Sequence, residues 1–415
     1  MKKVLSILAV LSILVFTASA CQKSPSQEQT KGESIDNKPI TITVATFSDP
    51  FGNKWEKEVA EEFMKQNKNI TVKLEQYPGD FFKALENKFI AKEAPDVFYL
   101  DIVQAPSLIN AGKIEPLDEY IKKYKYDIED IVPSLREAFT WEGKLYGIAK
   151  DYNMLALFYN KEMLEKANIT PPTNWQELKE AAKMLTTGDV KGLVLQNELP
   201  RFQPFAYQNG GSMMEGKEPK INRPENIEAA EFWTSLFKEG IAVEPKDIGE
   251  GWDGDAFGKQ KAAMTIEGGW MCKYLQNTAP DLKYGIVELP ANKTKSTMAF
   301  TVAWGIASTS KNKDAAFKFV SFITNAQNQR KVIPEQNAIP SRISLHKEFT
   351  DKFPVWSAFT RSYEYAVPFN YGIAGPLVID ELAKALEKIK LGTADAKTAF
   401  DEAQKNIDQY LEENR

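Results

Sequence analysis

The sequence predicts an α/β protein built on a parallel sheet, and the first hundred residues of its folded part carry the prediction. Ile40, Ile42 and Val44 alternate with Thr41 and Thr43, which is the period of a strand. Trp55, Val59 and Phe63 then recur at helical spacing. A second strand at Ile70, Val72 and Leu74 leads to a helix with Phe82, Leu85 and Phe89, then to a short buried strand, Val97 to Leu100. Strand, helix, strand, helix, strand is how a parallel sheet comes to be covered on both faces.

The connections carry their own signals. Asp49 is suited to cap the first helix and Pro50 to its first turn. Gly79-Asp80 precedes the second helix, and the third strand ends at Asp101. All three aspartates fall just past strand ends, where open α/β sheets bind ligands. Around Trp141-Glu142-Gly143-Lys144 the chain makes a turn-like excursion, then runs through Ile148–Asn153 into a strand, Leu155 to Tyr159. This stretch is the expected first passage between two lobes.

Helices follow near Lys161–Ala167 and Trp175–Leu185, and a strand near Leu193–Leu195. A polar-aromatic helix reaches Tyr207-Gln208-Asn209 and is ended by Gly210-Gly211. Further helices are expected over Glu225–Lys238 and from Asp255 into Gly258. Ala262 to Ile266 is a short buried strand with Glu267-Gly268-Gly269-Trp270 at its end. After a helix and Tyr284–Leu289, the segment Met298 to Ala307 reads as a strand crossing back. Helices near Asp314–Thr324, Leu377–Lys390 and Ala394–Leu411 finish the chain, which has no internal repeat of solenoid or propeller period.

Upstream of all this, Lys2 and Lys3 precede an apolar run from Val4 to Phe16, and Ala18-Ser19-Ala20 lead into Cys21. That is the pattern of a secretory signal, too short to span a membrane. A cysteine directly after such a cleavage site marks a bacterial lipoprotein, although Ala18 stands where the motif prefers Leu. Residues 1–20 are thus expected as signal peptide, and 21–38 as a lipidated cysteine and a disordered tether. A diacyl anchor on Cys21 supplies the two chains that stable attachment needs, so a body on the outer face of the cytoplasmic membrane is expected.

Composition narrows the function. The roughly 380 residues after the tether suit two domains better than one core. A formal net charge of −5 argues against nucleic acid, which selects a basic surface. With Cys21 lipidated, only Cys272 remains, so no intramolecular disulfide can form, and Cys272 reads as packed and inert. The one histidine, His346, leaves little room for His-based metal sites or catalysis and reads as a surface residue in its polar stretch. No metal and no cofactor is expected. The 8 Trp, 15 Tyr and 24 Phe are more than a core needs and suggest a cleft that uses flat rings.

Several stretches, taken in order, resemble one family. They are Ala94–Asp101 (APDVFYLD), Tyr146–Leu178, Tyr207–Gly211 (YQNGG), Gly258–Trp270 (GKQKAAMTIEGGW), Tyr284–Pro290, Val302–Ile323 and Ala338–Arg342. Together they are similar to the extracellular sugar-binding lipoproteins of ABC importers, the maltodextrin-binding type, over about Ile40 to Leu411. The resemblance implies a two-lobed, periplasmic-binding-protein-like fold (type II, Venus flytrap) with discontinuous lobes and a hinge. It places one lobe at 39–149 plus 303–345 and the other at 150–302 plus 346–415, with crossings near Ile148–Asn153, near Phe300–Ala303 and soon after Arg342. It implies a carbohydrate ligand between the lobes, delivery to the transmembrane subunits of a permease, and a monomer.

A sugar offers hydroxyls, which planar polar groups bind directionally, and ring faces, which pack on aromatic rings. On that chemistry and the resemblance the candidates are Asp49, Asp101, Tyr152, Asn153, Tyr207, Trp270, Trp304 and Tyr371. Trp270 follows Glu267-Gly268-Gly269, where the family stacks a tryptophan on sugar. Trp304 keeps its place although Val302 and Ala303 replace the family's usual glycines. Asp49 and Asp101 each have a competing role as helix caps, and Tyr152, Tyr207 and Tyr371 as packing. Arg201 and Trp252 are weaker candidates. A glycosidase needs two opposed carboxylates, which 57 acidic residues neither supply specifically nor forbid. A lipoprotein sensor and a polyol-phosphate binder share the fold; the latter calls for a basic cluster that Arg201 and Lys150 do not make.

Overall fold

The computed structural model describes residues 38–47, 54–77, 81–333 and 338–414. The leader, Cys21, the tether, Asp49, Pro50, Gly79 and Asp80 lie outside the described residues. The alternating segments become strands: β1 (Ile40–Phe47), β2 (Ile70–Tyr77) and β3 (Val97–Asp101) come first. The turn-like excursion is a hairpin of β4 (Thr140–Trp141) and β5 (Lys144–Leu145), followed by the long β6 (Gly147–Asn160). Then come β7 (Lys191–Val194), a hairpin of β8 (Met214–Glu215) and β9 (Glu218–Pro219), β10 (Ala242–Val243) and β11 (Ala262–Gly268). The last are β12 (Tyr284–Val287), β13 (Thr297–Ile306), β14 (Ile339–Pro340) and β15 (Ala366–Pro368).

Among the described residues the main sheet runs β10-β7-β11-β6-β13-β3-β1-β2, with β12 and β14 added to β6 and β15 to β13. β1 lies parallel to β2 and β3, and β7 parallel to β10 and β11, as helical crossovers require. Between these two parallel groups run β6 and β13, antiparallel to each other. β6 pairs with β13 over Gly147–Met154 and with β11 and β12 over Leu155–Asn160. β13 pairs with β3 over Val302–Ile306 and with β15 over Thr297–Ala299. These two strands therefore join the groups: β6 pairs with β11, β13 with β3, and the two with each other. Their pairing shifts register at Val302/Ala303, a bulge that re-aims the side chains where one group gives way to the other.

Helices cover the faces for legible reasons. Trp175–Leu185 starts where the Asn174 side chain accepts the Glu177 N–H at 2.9 Å, and it buries Trp175, Leu178, Ala181, Ala182 and Leu185 along one stripe. Gly375–Leu391 ends at Gly392, whose φ of 70° makes the left-handed cap, and packs against Ala396–Asn414. Among the described residues no helix is long and apolar enough to cross a membrane.

His346 corrects the expectation of a surface histidine. It is buried, with Nε2 3.2 Å from the Tyr152 hydroxyl and 3.1 Å from the Pro340 carbonyl oxygen. β14 reaches β6 at Asp151 and Tyr152, so this late segment docks where β6 passes between the groups. Desolvation holds the His346 pKa below its ordinary value, and the ring is neutral at pH 7. Cys272 is also buried, and desolvation pushes its thiol up to about 12, which leaves it unreactive.

Candidate functional site

The two-residue period of a strand sorts the candidates. On β6, Asp151 and Asn153 are half-buried while Tyr152 and Met154 are buried; on β13, Phe300 and Val302 are half-buried while Thr301 and Ala303 are buried. Successive strand residues point to opposite faces and directly paired ones share a face. Asn153 pairs with Phe300, Asp151 with Val302, and Val302 with Asp101. Asp101, Asp151, Asn153, Phe300 and Val302 therefore form one row across three strands, at the junction of the two parallel groups.

Asp101 ends β3, and its Oδ1 accepts the Val103 N–H at 2.8 Å. It is not a helix cap. The next helix, Ala105–Asn110, starts after Gln104, so Asp101 closes the turn before it. Burial raises the Asp101 carboxyl to about 6 despite that hydrogen bond, leaving a desolvated acceptor that is only partly satisfied. Its neighbour in the row, Asp151, is neutralised by the Lys150 ammonium, which also lies over the Tyr99 ring at 5.4 Å.

Trp270 comes to this row from β11, and the two glycines before it are required by close approach. A Cβ on Gly268 would lie 2.2 Å from the Trp270 ring. One on Gly269 would lie 2.2 Å from the Trp356 ring and 2.6 Å from Oδ1 of Asn153. The Gly-Gly-Trp sequence thus lets the indole fold back over its own chain and brings Asn153 up to it. The ring meets Phe300 nearly edge to face, with centroids 5.5 Å apart, and Phe300 in turn meets Phe369 at 5.6 Å. Trp270 is half-buried, so part of the indole stays open to solvent. Phe300 is a residue of this row that sequence reasoning did not name as a candidate; the alternation in Ala299-Phe300-Thr301-Val302 was its only signal.

Behind the platform lies a charged cluster. Glu267 is fully buried; its Oε2 accepts the Trp270 indole N–H at 2.8 Å, and its Oε1 is paired with the Arg201 guanidinium. Arg201 also pairs with Glu198 and lies 3.9 Å from the fully buried Asp253. Burial, then the Glu267 charge, drives the Asp253 carboxyl well above its ordinary range. Arg201 is thus committed to internal partners, and Trp252 packs edge to face on Tyr274 at 4.8 Å. Among the described residues no group of His, Cys, Asp and Glu is arranged to hold a metal.

The other candidates are drawn into the core. Tyr152 is on the opposite face of β6 from Asn153 and bonds to His346. Trp304 is fully buried, tilted on Tyr99 at 4.6 Å, and offers no surface to a ligand. Tyr371 is buried with its hydroxyl on Gln203. Tyr207 is half-buried and its hydroxyl oxygen accepts the Met213 N–H at 3.3 Å, covering a helix end. The row therefore unites Asp101, Asn153 and Trp270 and leaves these four out. A cavity of about 620 Å³, separate from the residues of the row, is lined by Phe82, Leu85, Gln104, Leu108 and Pro376 among others. It lies in the size range of small-molecule sites.

Comparison with known proteins fits this geometry. The family model described as bacterial extracellular solute-binding protein matches residues 58–360. The ABC substrate-binding protein Lmo0181 from Listeria monocytogenes, solved in complex with cycloalternan, is 28% identical with a TM-score of 0.80; the match covers 90% of this chain and 99% of that one. The galactooligosaccharide-binding protein of Bacillus subtilis (strain 168) is 22% identical over 426 aligned positions, covering 97% of this chain and 96% of its own length. The maltotriose-binding protein of Pyrococcus abyssi (strain GE5 / Orsay) is 25% identical over 298 residues, covering 68% of this chain and 62% of its own. With most of its length inside the family match, the chain belongs to the bacterial extracellular solute-binding proteins, in the two-lobed, maltodextrin-binding-like group that serves ABC importers.

Proposed function

We propose that this protein captures an oligosaccharide between its two lobes and delivers it to a membrane permease. The observation that carries the reading is the row at the strand junction. Asp101 and Asn153 offer polar groups to hydroxyls, and Trp270 backed by Phe300 offers a flat apolar wall to a sugar ring. Sugars need both on one surface. The relatives' ligands, cycloalternan, galactooligosaccharides and maltotriose, support the extended class over a single ring.

The lobes are proposed as 39–149 plus 303–345 and 150–302 plus 346–415. β6 and β13, which pair with each other and join the two parallel groups, lie close to those limits. A ligand that touches both lobes favours their closed arrangement by its extra contacts there, and by no more than that difference. The closed pair of lobe surfaces is then what a permease recognises. Cys21, carrying a diacyl anchor, keeps the body at the outer face of the membrane. No chemistry on the sugar is part of this reading, in keeping with a family of binding proteins.

The test is a thermal-shift and tryptophan-fluorescence titration with cycloalternan, maltotriose, galactooligosaccharides and single hexoses. A ligand that binds only the folded form raises the melting temperature by mass action. Saturable shifts with one of the oligosaccharides, without hydrolysis of it, and their loss in Trp270→Ala, are the expected outcome. Silence across the panel counts against the sugar reading.

A further inference from the structure

Trp270 has one hydrogen-bonding group, its indole N–H, and that group does not face the row of ligand-facing residues. It donates at 2.8 Å to Oε2 of Glu267, which also accepts the Gly268 N–H at 3.1 Å. The other carboxylate oxygen is held by Arg201, and Glu267 has no exposed surface. Burying a carboxylate is costly unless it is paired and hydrogen-bonded, and this one is both. Such a group does not wander between rotamers.

The ring is therefore held at two places. Its six-membered part folds over Gly268, where a Cβ would meet it at 2.2 Å, and its N–H is tied to a carboxylate that Arg201 pins in turn. Arg201 is itself flanked by Glu198 and Asp253, so removing one acidic partner does not leave it bare. We propose that Glu267 is a positioning residue that touches no ligand and sets the angle at which the Trp270 ring meets a sugar face. The inference rests on the proposed role of Trp270 as a stacking platform. Preorganising such a ring removes the ordering cost that a free indole would incur on binding.

Two variants separate positioning from mere support. Glu267→Gln keeps a carbonyl oxygen for the indole and Gly268 N–H groups. Its amide NH2 then stands where Oε1 met Arg201, with the buried Asp253 beside both to accept from them and Glu198 still paired with Arg201. Glu267→Leu removes the acceptor at nearly the same volume. The first readout needs no ligand: the indole N–H resonance of Trp270 in the uniformly ¹⁵N-labelled full protein, assigned by Trp270→Phe. Expected are a wild-type-like resonance in Glu267→Gln and a displaced, faster-exchanging one in Glu267→Leu. An unmoved resonance in Glu267→Leu overturns the positioning role. Should Glu267→Leu not fold, Glu267→Asp, which withdraws the carboxylate by one methylene, must move the resonance, and an unmoved one is equally fatal.

The second readout is affinity for maltotriose, expected to weaken about tenfold in Glu267→Leu and little in Glu267→Gln. Equal weakening in both variants, with equal loss of melting temperature, marks Glu267 as structural and overturns the proposal. If wild type does not bind maltotriose, the sugar reading suffers, while the resonance still decides whether Glu267 positions the ring.

Discussion

At the scale of single residues, Asp101 and Gly269 make the sharpest claims. A sugar hydroxyl that donates to Asp101 favours the ionised carboxylate. Burial keeps that carboxyl protonated up to about 6, so below this pH binding must first drive off a proton. Affinity is therefore expected to rise with pH through 6 and level off above it, with a loss of about tenfold one unit below. Asp101→Asn should bind more weakly and abolish the step, as titration calorimetry between pH 5 and 8 would reveal. At Gly269 an added methyl meets the buried Trp356 ring at 2.2 Å. Gly269→Ala is expected to cost about 1–3 kcal/mol, the range of overpacked cores, in a denaturant melt. An unchanged midpoint would mean that Trp356 can yield.

Elements show where sequence was and was not enough. Trp175–Leu185 is legible to the residue, because Asn174 caps it and its apolar stripe has helical period. β13 is legible as a strand for similar reasons, yet its alternation does not say which face is covered, so Trp304, a candidate from the resemblance, is found fully buried while Phe300 is half-buried. The segment from Ile343 to Ala374 is a run of short helical turns, broken by β15, with no sustained period, and nothing local announces them. His346 was misread because the partner that buries it, Tyr152, is 194 residues away. This late segment is tied down by Glu288, which follows β12 and bonds to Lys295, Arg361 and Tyr365. Burial alone would raise its pKa, but those hydrogen bonds outweigh it and hold it at about 2. A carboxylate lowered in the folded state stabilises above its unfolded value and stops doing so as pH falls to the folded one. The stability difference between wild type and Glu288→Gln is thus expected to shrink between about pH 4.3 and about pH 2, as acid-dependent urea melts can check.

For the whole molecule, the proposed anchor makes a simple prediction. Cys21→Ser should move the protein from the membrane fraction to the medium or the periplasm without altering its ligand affinity, because Cys21 precedes the compact body that starts at Pro39. Retention on membranes would point to attachment through the body instead. The two strands that join the parallel groups bear on a different matter, the way such a protein can change over generations. β13 completes the sheet beside β3, yet it comes in the chain only after β6, β7, β10 and β11. One recombination breakpoint therefore cannot exchange β1–β3 together with β13 and leave in place the strands encoded between them. A lineage built this way acquires new ligands by point changes at the junction row and its neighbouring loops, with the halves inherited together.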